Sequence, residues 1–263
     1  MKKEVSVEVH NLTATYGGRP VLWDIDFSLP AGQIIGIIGP NGSGKTTLLK
    51  AIMGILEPSS GYVKVFDKPL DEVRERVAYV PQRESVDWDF PASVFDVVMM
   101  GRYRKSNLLK RTNKADVEIV EKSIEKVGLT EFKNRQISQL SGGQQQRVFI
   151  ARALAQKADI YLMDEPFVGV DAATESSILS ILQEMRKEGK TVLIIHHDLQ
   201  TVSEYFDYLV LLNTRLVAKG TLQEVLTKEN LSNAYGGQLT LLAKVVDIIK
   251  KTEFPIREKD VDL

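Results

Sequence analysis

Hydrophobic positions along this chain change period several times, and each change marks an element. Val5, Val7 and Val9 alternate with polar residues, the period-two signal of a half-buried strand. Val21 to Leu29 continues in a similar register around Trp23, Ile25 and Phe27, with Pro30-Ala-Gly32 as a turn, and the two stretches predict an antiparallel β layer. Four short apolar runs follow: Ile34–Ile38, Val77–Val80, Ile160–Met163 and Val192–Ile195. Runs of this length, each followed by a turn and mostly separated by helical patterns, are expected of parallel strands buried on both faces. After Asp171 the period becomes helical, since Ile178, Ile181, Leu182 and Met185 fall at i, i+3, i+4 and i+7. The reading is α/β.

From about Trp88 to Lys157 strand runs are lacking and the pattern is helical, with Ser93 as N-cap of Val94–Met100. Because this stretch lies between two core strands, it is expected as a helical insertion. Thr221-Leu-Gln-Glu224 reads as a capping box, and Leu239–Ile249 as an amphipathic segment before a charged tail. The expected division is one domain over 1–263: a β subdomain and core over 1–87 and 158–235, a helical subdomain over 88–157, and a C-terminal helix and tail over 236–263.

Composition narrows the function more than the fold. With 34 basic and 35 acidic side chains in 263 residues, no global field draws the chain to nucleic acid or anionic lipid. Without cysteine there are no disulfides, thiolate metal sites or thiol catalysis. The start, with two lysines and no apolar region, does not read as a signal peptide, and the longest apolar runs are too short to cross a bilayer. The chain is expected to be soluble, or attached to a membrane only through a partner.

Gly39, Pro40, Asn41, Gly42, Ser43, Gly44, Lys45 and Thr46 match the P-loop pattern G-x-x-x-x-G-K-[ST], directly after a buried strand. The glycines let backbone N–H groups turn inward around phosphate oxygens, and the helix that runs on through Thr47 aims its positive end at them. Lys45 supplies a charge to the outer phosphates, and Thr46 a hydroxyl to Mg²⁺. Ile160–Met163 runs into two adjacent carboxylates, of which Asp164 is expected beside the metal and Glu165 at the attacking water as general base. These two motifs leave GTPase, kinase and ATPase open. Asn113-Lys-Ala-Asp116 matches a guanine-reading pattern, but it sits in a polar run rather than at the end of a buried strand, and is read as coincidence.

Leu140, Ser141, Gly142, Gly143 and Gln144, about twenty residues before the Asp-Glu strand and opening a helix expected over Gln145–Ala155, decide the class. Here the chain resembles the ATP-binding cassette (ABC) family, whose signature is this pentapeptide, and the resemblance covers nearly the whole sequence in the family's order. It implies a RecA-like P-loop NTPase core with an N-terminal antiparallel β subdomain and an inserted α-helical subdomain. It also implies ATP and Mg²⁺ as cofactors, and two copies that sandwich two ATP molecules head to tail, the signature of one gripping the γ-phosphate held by the other. Carried over residue by residue, Tyr16 matches the adenine-stacking aromatic. Gln82 matches the glutamine that touches Mg²⁺ and the attacking water. His197, rather than His196, matches the histidine at the γ-phosphate, because the family's histidine precedes an aspartate. The linking loop usually reads Ser-Ala-Leu-Asp; here Val168-Gly-Val-Asp171 departs from it, though Asp171 keeps the carboxylate that signals across the dimer.

Three hypotheses differ in class: the motor of a membrane transporter, a soluble cassette acting on ribosomes or DNA, and a soluble cassette serving cofactor assembly. A single P-loop and signature and the lack of a heptad run count against the second. Gln82–Pro91, Arg135-Gln-Ile, Gln144–Phe149 and Asp164–Thr174 resemble the manganese, zinc and iron branch of bacterial importers, the manganese-type members most of all, with a phosphate, amino-acid or siderophore cargo as the runner-up. That implies a polytopic permease and an extracytoplasmic metal-binding protein as partners, with this chain on the cytoplasmic face of the plasma membrane. Val86, Trp88 and Phe90, alternating with Asp87 and Asp89, are expected to anchor an extended ribbon on the insertion, with the two acids as solvated groups or a docking surface.

Overall fold

The computed structural model describes residues 4–103 and 113–236. Two sheets organise it. Strands β1 (Val5–Thr15), β2 (Pro20–Pro30), β4 (Ser60–Val65) and β5 (Lys68–Pro69) form an antiparallel sheet in the order β2-β1-β4-β5. Strands β3 (Ile34–Ile38), β6 (Val77–Val80), β7 (Ile160–Asp164), β8 (Thr191–Ile195), β9 (Tyr208–Asn213) and β10 (Arg215–Gly220) form the second, ordered β10-β9-β3-β8-β7-β6. Five of its strands are parallel, and β10 turns back antiparallel on β9.

The helices are α1 (Lys45–Ile52), α2 (Leu70–Val73), α3 (Val94–Met100), α4 (Lys114–Lys126), α5 (Gly142–Gln156), α6 (Ala172–Lys187), α7 (Val202–Tyr205), α8 (Leu222–Val225) and α9 (Lys228–Tyr235). Helices α3, α4 and α5 all fall between β6 and β7 and pack on one another, so the helical insertion stands where the pattern placed it. Ser93 caps α3 and Thr221 caps α8, each in a reciprocal capping box.

The parallel strands are buried on both sides, and alternate residues serve two separate cores. Ile34, Ile38, Val192, Ile194, Tyr161, Met163 and Leu209 face the core that contains the helices of the insertion and α6. Ile35, Ile37, Leu193, Ile195, Ile160, Leu162 and Val210 face the core shared with α1, β1 and β2. With no polar face to present, each strand reads as an unbroken apolar run rather than an alternation.

Three expectations change. The sheet has two more strands than the four apolar runs: Tyr208-Leu-Val-Leu-Leu212 is a fifth run with the same signal, and β10 follows it through a tight turn at Thr214, whose φ is 59°. Helix α5 opens at Gly142 rather than Gln145, so both signature glycines lie in its first turn. The Val86–Phe90 stretch is turns rather than an extended ribbon. Val86 and Trp88 pack on the core, the Trp88 indole N–H donates to Arg83 O at 2.9 Å, and Phe90 is 53% exposed. Asp87 accepts the backbone N–H of Asp89 at 3.1 Å, a local turn bond that gives this acid a structural use. Leu239–Ile249 lies outside the described residues.

Candidate active site

Four neighbouring parallel strands, β3, β8, β7 and β6, end side by side, and each hands the chain to one piece of the site. The carboxyl edge of an open α/β sheet is where such crevices form, because parallel register brings loops from distant sequence positions to one line. Pairing of Val80 with Met163, and of Asp164 and Ile37 with Ile195, aligns the ends to within about one residue.

After β3 the chain wraps as the P-loop. A Cβ on Gly39 would stand 2.0 Å from the carbonyl oxygen of Leu212 in β9, so only glycine lets the loop leave the sheet here. Gly44 caps α1 in the left-handed region with no side-chain cap and no acid in the first turn, which leaves the helix's first N–H groups to the loop. The Lys45 ammonium donates to Gly39 O and Pro40 O, both at 2.9 Å. Burial lowers its pKa, while the charges of Glu165 and Asp164 pull it back up. Ser43 Oγ is buried without a hydrogen-bond partner among the described residues, an orphan that a phosphate oxygen in the loop would satisfy. Thr47 is buried in α1, and Tyr16, just past β1, is 61% exposed.

Asp164 ends β7, with its carboxylate 3.4 Å from the Thr46 hydroxyl. Burial, then the neighbouring Glu165 charge, pushes the Asp164 carboxyl upward. A hydroxyl and a buried carboxylate converging beside a phosphate cradle are hard oxygen donors of the kind Mg²⁺ takes. A cation there would offset the desolvation of Asp164.

Glu165 turns the chain sharply at φ 50°, a left-handed conformation that is uncommon for a side chain of this length and tends to occur at functional sites. Its two oxygens have different neighbours. Gln82, beyond β6, donates from Nε2 to Oε2 at 3.2 Å, and His197 Nδ1 lies 3.6 Å from Oε1. His196 points away from Glu165 into the core, 2.7 Å from the Thr201 hydroxyl. The structure therefore brings Gln82, Glu165 and His197 together beside Thr46 and Asp164.

The signature residues stand apart from this cluster. Ser141 caps α5 in a reciprocal box with Gln144, at 2.9 and 3.3 Å, and Leu140 is buried beneath it. The nearest neighbours across Gly142 and Gly143 are the Arg83 guanidinium and Thr174. Asp171 caps α6, accepting the Thr174 N–H at 2.8 Å and its hydroxyl at 3.1 Å, bonds that hold its carboxyl below the usual range. Asn113 likewise caps α4 through the Asp116 N–H, so the guanine-like tetrapeptide is a helix start.

One link escaped the sequence pattern. Arg83, directly after Gln82, donates to Gln145 Oε1 at 3.1 Å, and Gln145 in turn donates to Ile137 O. This joins the Gln82 loop, itself bonded to Glu165, to the first turn of the signature helix. Its position between two recognised motifs is the only sequence signal it carries.

With this geometry established, three comparisons bear on it. The family described as "ABC transporter" matches residues 22–168. The manganese transport system ATP-binding protein MntB of Bacillus subtilis is 56% identical over 236 residues, covering 90% of this chain and 94% of that protein. The zinc transport system ATP-binding protein TroB of Treponema pallidum is 55% identical, covering 89% and 88%. Among solved structures, an inward-facing putative metal-chelate type ABC transporter superposes with a TM-score of 0.78 at 29% identity, covering 89% of each chain.

Proposed function

The chain belongs to the ABC transporter family, and from that membership we propose that it powers bacterial uptake of a divalent metal ion, manganese first, through a separate polytopic permease. It is an ATPase of the transporter class. The observation that carries the catalytic reading is the convergence of Gln82 and His197 on the two oxygens of Glu165, beside the Thr46–Asp164 pair. Similarity to the manganese and zinc relatives supports the cargo.

In this reading the P-loop N–H groups, Lys45 and Thr46 hold the phosphates and Tyr16 the adenine. Thr46, Asp164 and Gln82 would hold Mg²⁺, which when bound neutralises phosphate charge. Glu165 is the general base toward water, and His197 and Gln82 hold its carboxylate in line. Ser141, Gly142, Gly143 and Gln144 act on the ATP of a second copy, and Asp171 relays closure between copies. A lone copy then hydrolyses poorly. The three-part division of the chain at 87/88, 157/158 and 235/236 follows the same reading. So do an extracytoplasmic metal-binding protein as indirect partner and a location at the cytoplasmic face of the membrane. In this reading the permease is the anchor; among the described residues no helix is long and apolar enough to cross a membrane.

A deletion strain, complemented with the natural chain or with Glu165→Gln, tests the proposal through cellular manganese, zinc and iron. Manganese uptake lost on deletion and restored only by the natural chain is the expected result. Loss of zinc alone favours the zinc reading that the relative at 55% identity suggests. Unchanged content of all three metals overturns metal import, and failure to co-purify with any membrane protein overturns the transporter role.

A further inference from the structure

His196 has no part in the chemistry above, yet its ring is the meeting point of the loops that carry that chemistry. It leaves β8 with its backbone N–H on Ile37 O at 3.0 Å, and its side chain turns inward until the residue is 5% exposed. Phe167, Tyr205 and Phe206 surround the imidazole with ring centroids 5.8, 5.6 and 5.5 Å away. Gly36 makes room for this cluster, since a Cβ there would come within 2.9 Å of the Phe206 ring.

The polar edge of the ring is equally committed. Nε2 lies 2.7 Å from the Thr201 hydroxyl, which donates its proton to Asp198 O at 3.3 Å and so leaves a lone pair for an Nε2–H. Thr201 therefore bonds the residue before His197 and the residue after it, closing the loop on both sides of that histidine. On its other flank the imidazole meets the edge of Phe167 at 89°, two residues beyond Glu165. The loop of Glu165 and the loop of His197 thus rest on one ring. Tyr205, in the same cluster, donates to Glu175 in the first turn of α6, which extends the connection toward Asp171.

We propose that His196 is a positioning residue for ATP hydrolysis: by holding Thr201 on one edge and Phe167 on the other, it sets the placement of His197 against Glu165. The inference rests on the roles given to Glu165 and His197 under Proposed function. An apolar residue of similar size fills the pocket but releases Thr201, whereas glutamine places an amide nitrogen at a similar reach. Because small misplacement of a catalytic pair costs turnover far more than ground-state binding, the effect belongs in kcat.

The test compares full-length natural chain, His196→Leu, His196→Gln, Thr201→Val and Glu165→Gln by steady-state ATPase and by binding of a fluorescent ATP analogue. His196→Leu and Thr201→Val are each expected to lower kcat ~10-fold, with KM for ATP and analogue affinity within about twofold of natural. The double variant is expected to lose no more than either single one, because both break the same tie. His196→Gln should recover most of the rate. Natural kcat in both His196→Leu and Thr201→Val overturns the proposal. So does equal impairment of His196→Gln and His196→Leu, which would mark the ring as packing alone. Thr201→Val leaves every ring of the aromatic cluster in place, removing only hydroxyl bonds, and keeps the test decisive if His196→Leu folds poorly. Near-natural turnover in Glu165→Gln instead sinks the parent reading, an outcome separable from any result at His196.

Discussion

Gln82 donates its amide N–H to Glu165 Oε2 across the ends of two adjacent strands, at 3.2 Å. The bond fixes one carboxylate oxygen and leaves the other toward His197, so the proposed base is oriented by groups from both neighbouring strands. Replacing Glu165 by Gln keeps the shape and removes the basicity. ATP binding should persist while turnover falls at least ~10²-fold, the scale of a positioned general base. Size-exclusion chromatography with ATP should then show a stable dimer, since closure no longer ends in hydrolysis.

Lys45 separates binding from stability. Its ammonium is buried against two loop carbonyls, and burial lowers its pKa. Lys45→Ala removes a charge-assisted phosphate contact worth about 1.5–3 kcal/mol, so ATP affinity should weaken by at least ~10-fold. Thermal unfolding without nucleotide should be no lower than in the natural chain, which calorimetry will show.

Gly36 predicts a packing cost at a position with ordinary backbone angles. An added methyl meets the Phe206 ring and the Leu209 side chain at 2.9 Å, both of them buried in the core shared with the insertion. Gly36→Ala should destabilise the fold by about 1–3 kcal/mol, the range for overpacking, measured as a shift in urea midpoint at unchanged slope.

The buried imidazole also makes stability depend on pH. Burial, then the charge of neighbouring His197, brings the His196 pKa to about 4, against smaller opposing contributions from Asp198 and Glu175. Between the ordinary value of about 6.5 and about 4, the unfolded chain binds a proton that the folded one does not. The histidine's contribution is thus intact above pH 6.5 and falls away with acidification by up to about 1.4 kcal/mol per pH unit, levelling off below pH 4. His196→Gln has nothing to titrate there, so the stability difference between natural chain and variant should change across this window and stay flat above it.

Asp87 and Asp89 are both exposed, on the segment that leads from Gln82 into the insertion. Reversing both to Lys should uncouple ATP hydrolysis from transport in reconstituted vesicles while the isolated chain keeps its basal rate. Unchanged transport would leave Asp87 with only its turn bond to Asp89.

Much of this site was legible because its parts are contiguous. Gly39–Thr46, Asp164–Glu165 and Leu140–Gln144 each carry their motif within a few residues, and the buried strands announce themselves as apolar runs. Strand β9 carries the same signal at Tyr208–Leu212, so the information for it is present in the sequence as well. The phenylalanine at 90 shows a real limit. Alternation over five residues suggests a ribbon, but the Trp88 bond to Arg83 O folds the segment into turns, and no local pattern announces that contact. The cluster around His196 is less legible still: its members come from three separate stretches, the loop after β7, the loop after β8 and the end of α7, and their meeting depends on a glycine whose neighbours lie about 170 residues away.

The strand order carries a last consequence, for biosynthesis. β3, which bears the P-loop, has as its sheet neighbours β8 and β9, begun roughly 150 residues after β3 ends. At about 5–20 residues per second, the ribosome takes some ~8–30 s to deliver β8 after the P-loop has been made. During that interval the strand has no sheet neighbour on either side and Gly39 has no Leu212 carbonyl to pack on. A nascent chain therefore carries a nucleotide motif without a nucleotide site, and a polypeptide cut short before β8 is an exposed edge for chaperones to cover rather than a smaller ATPase.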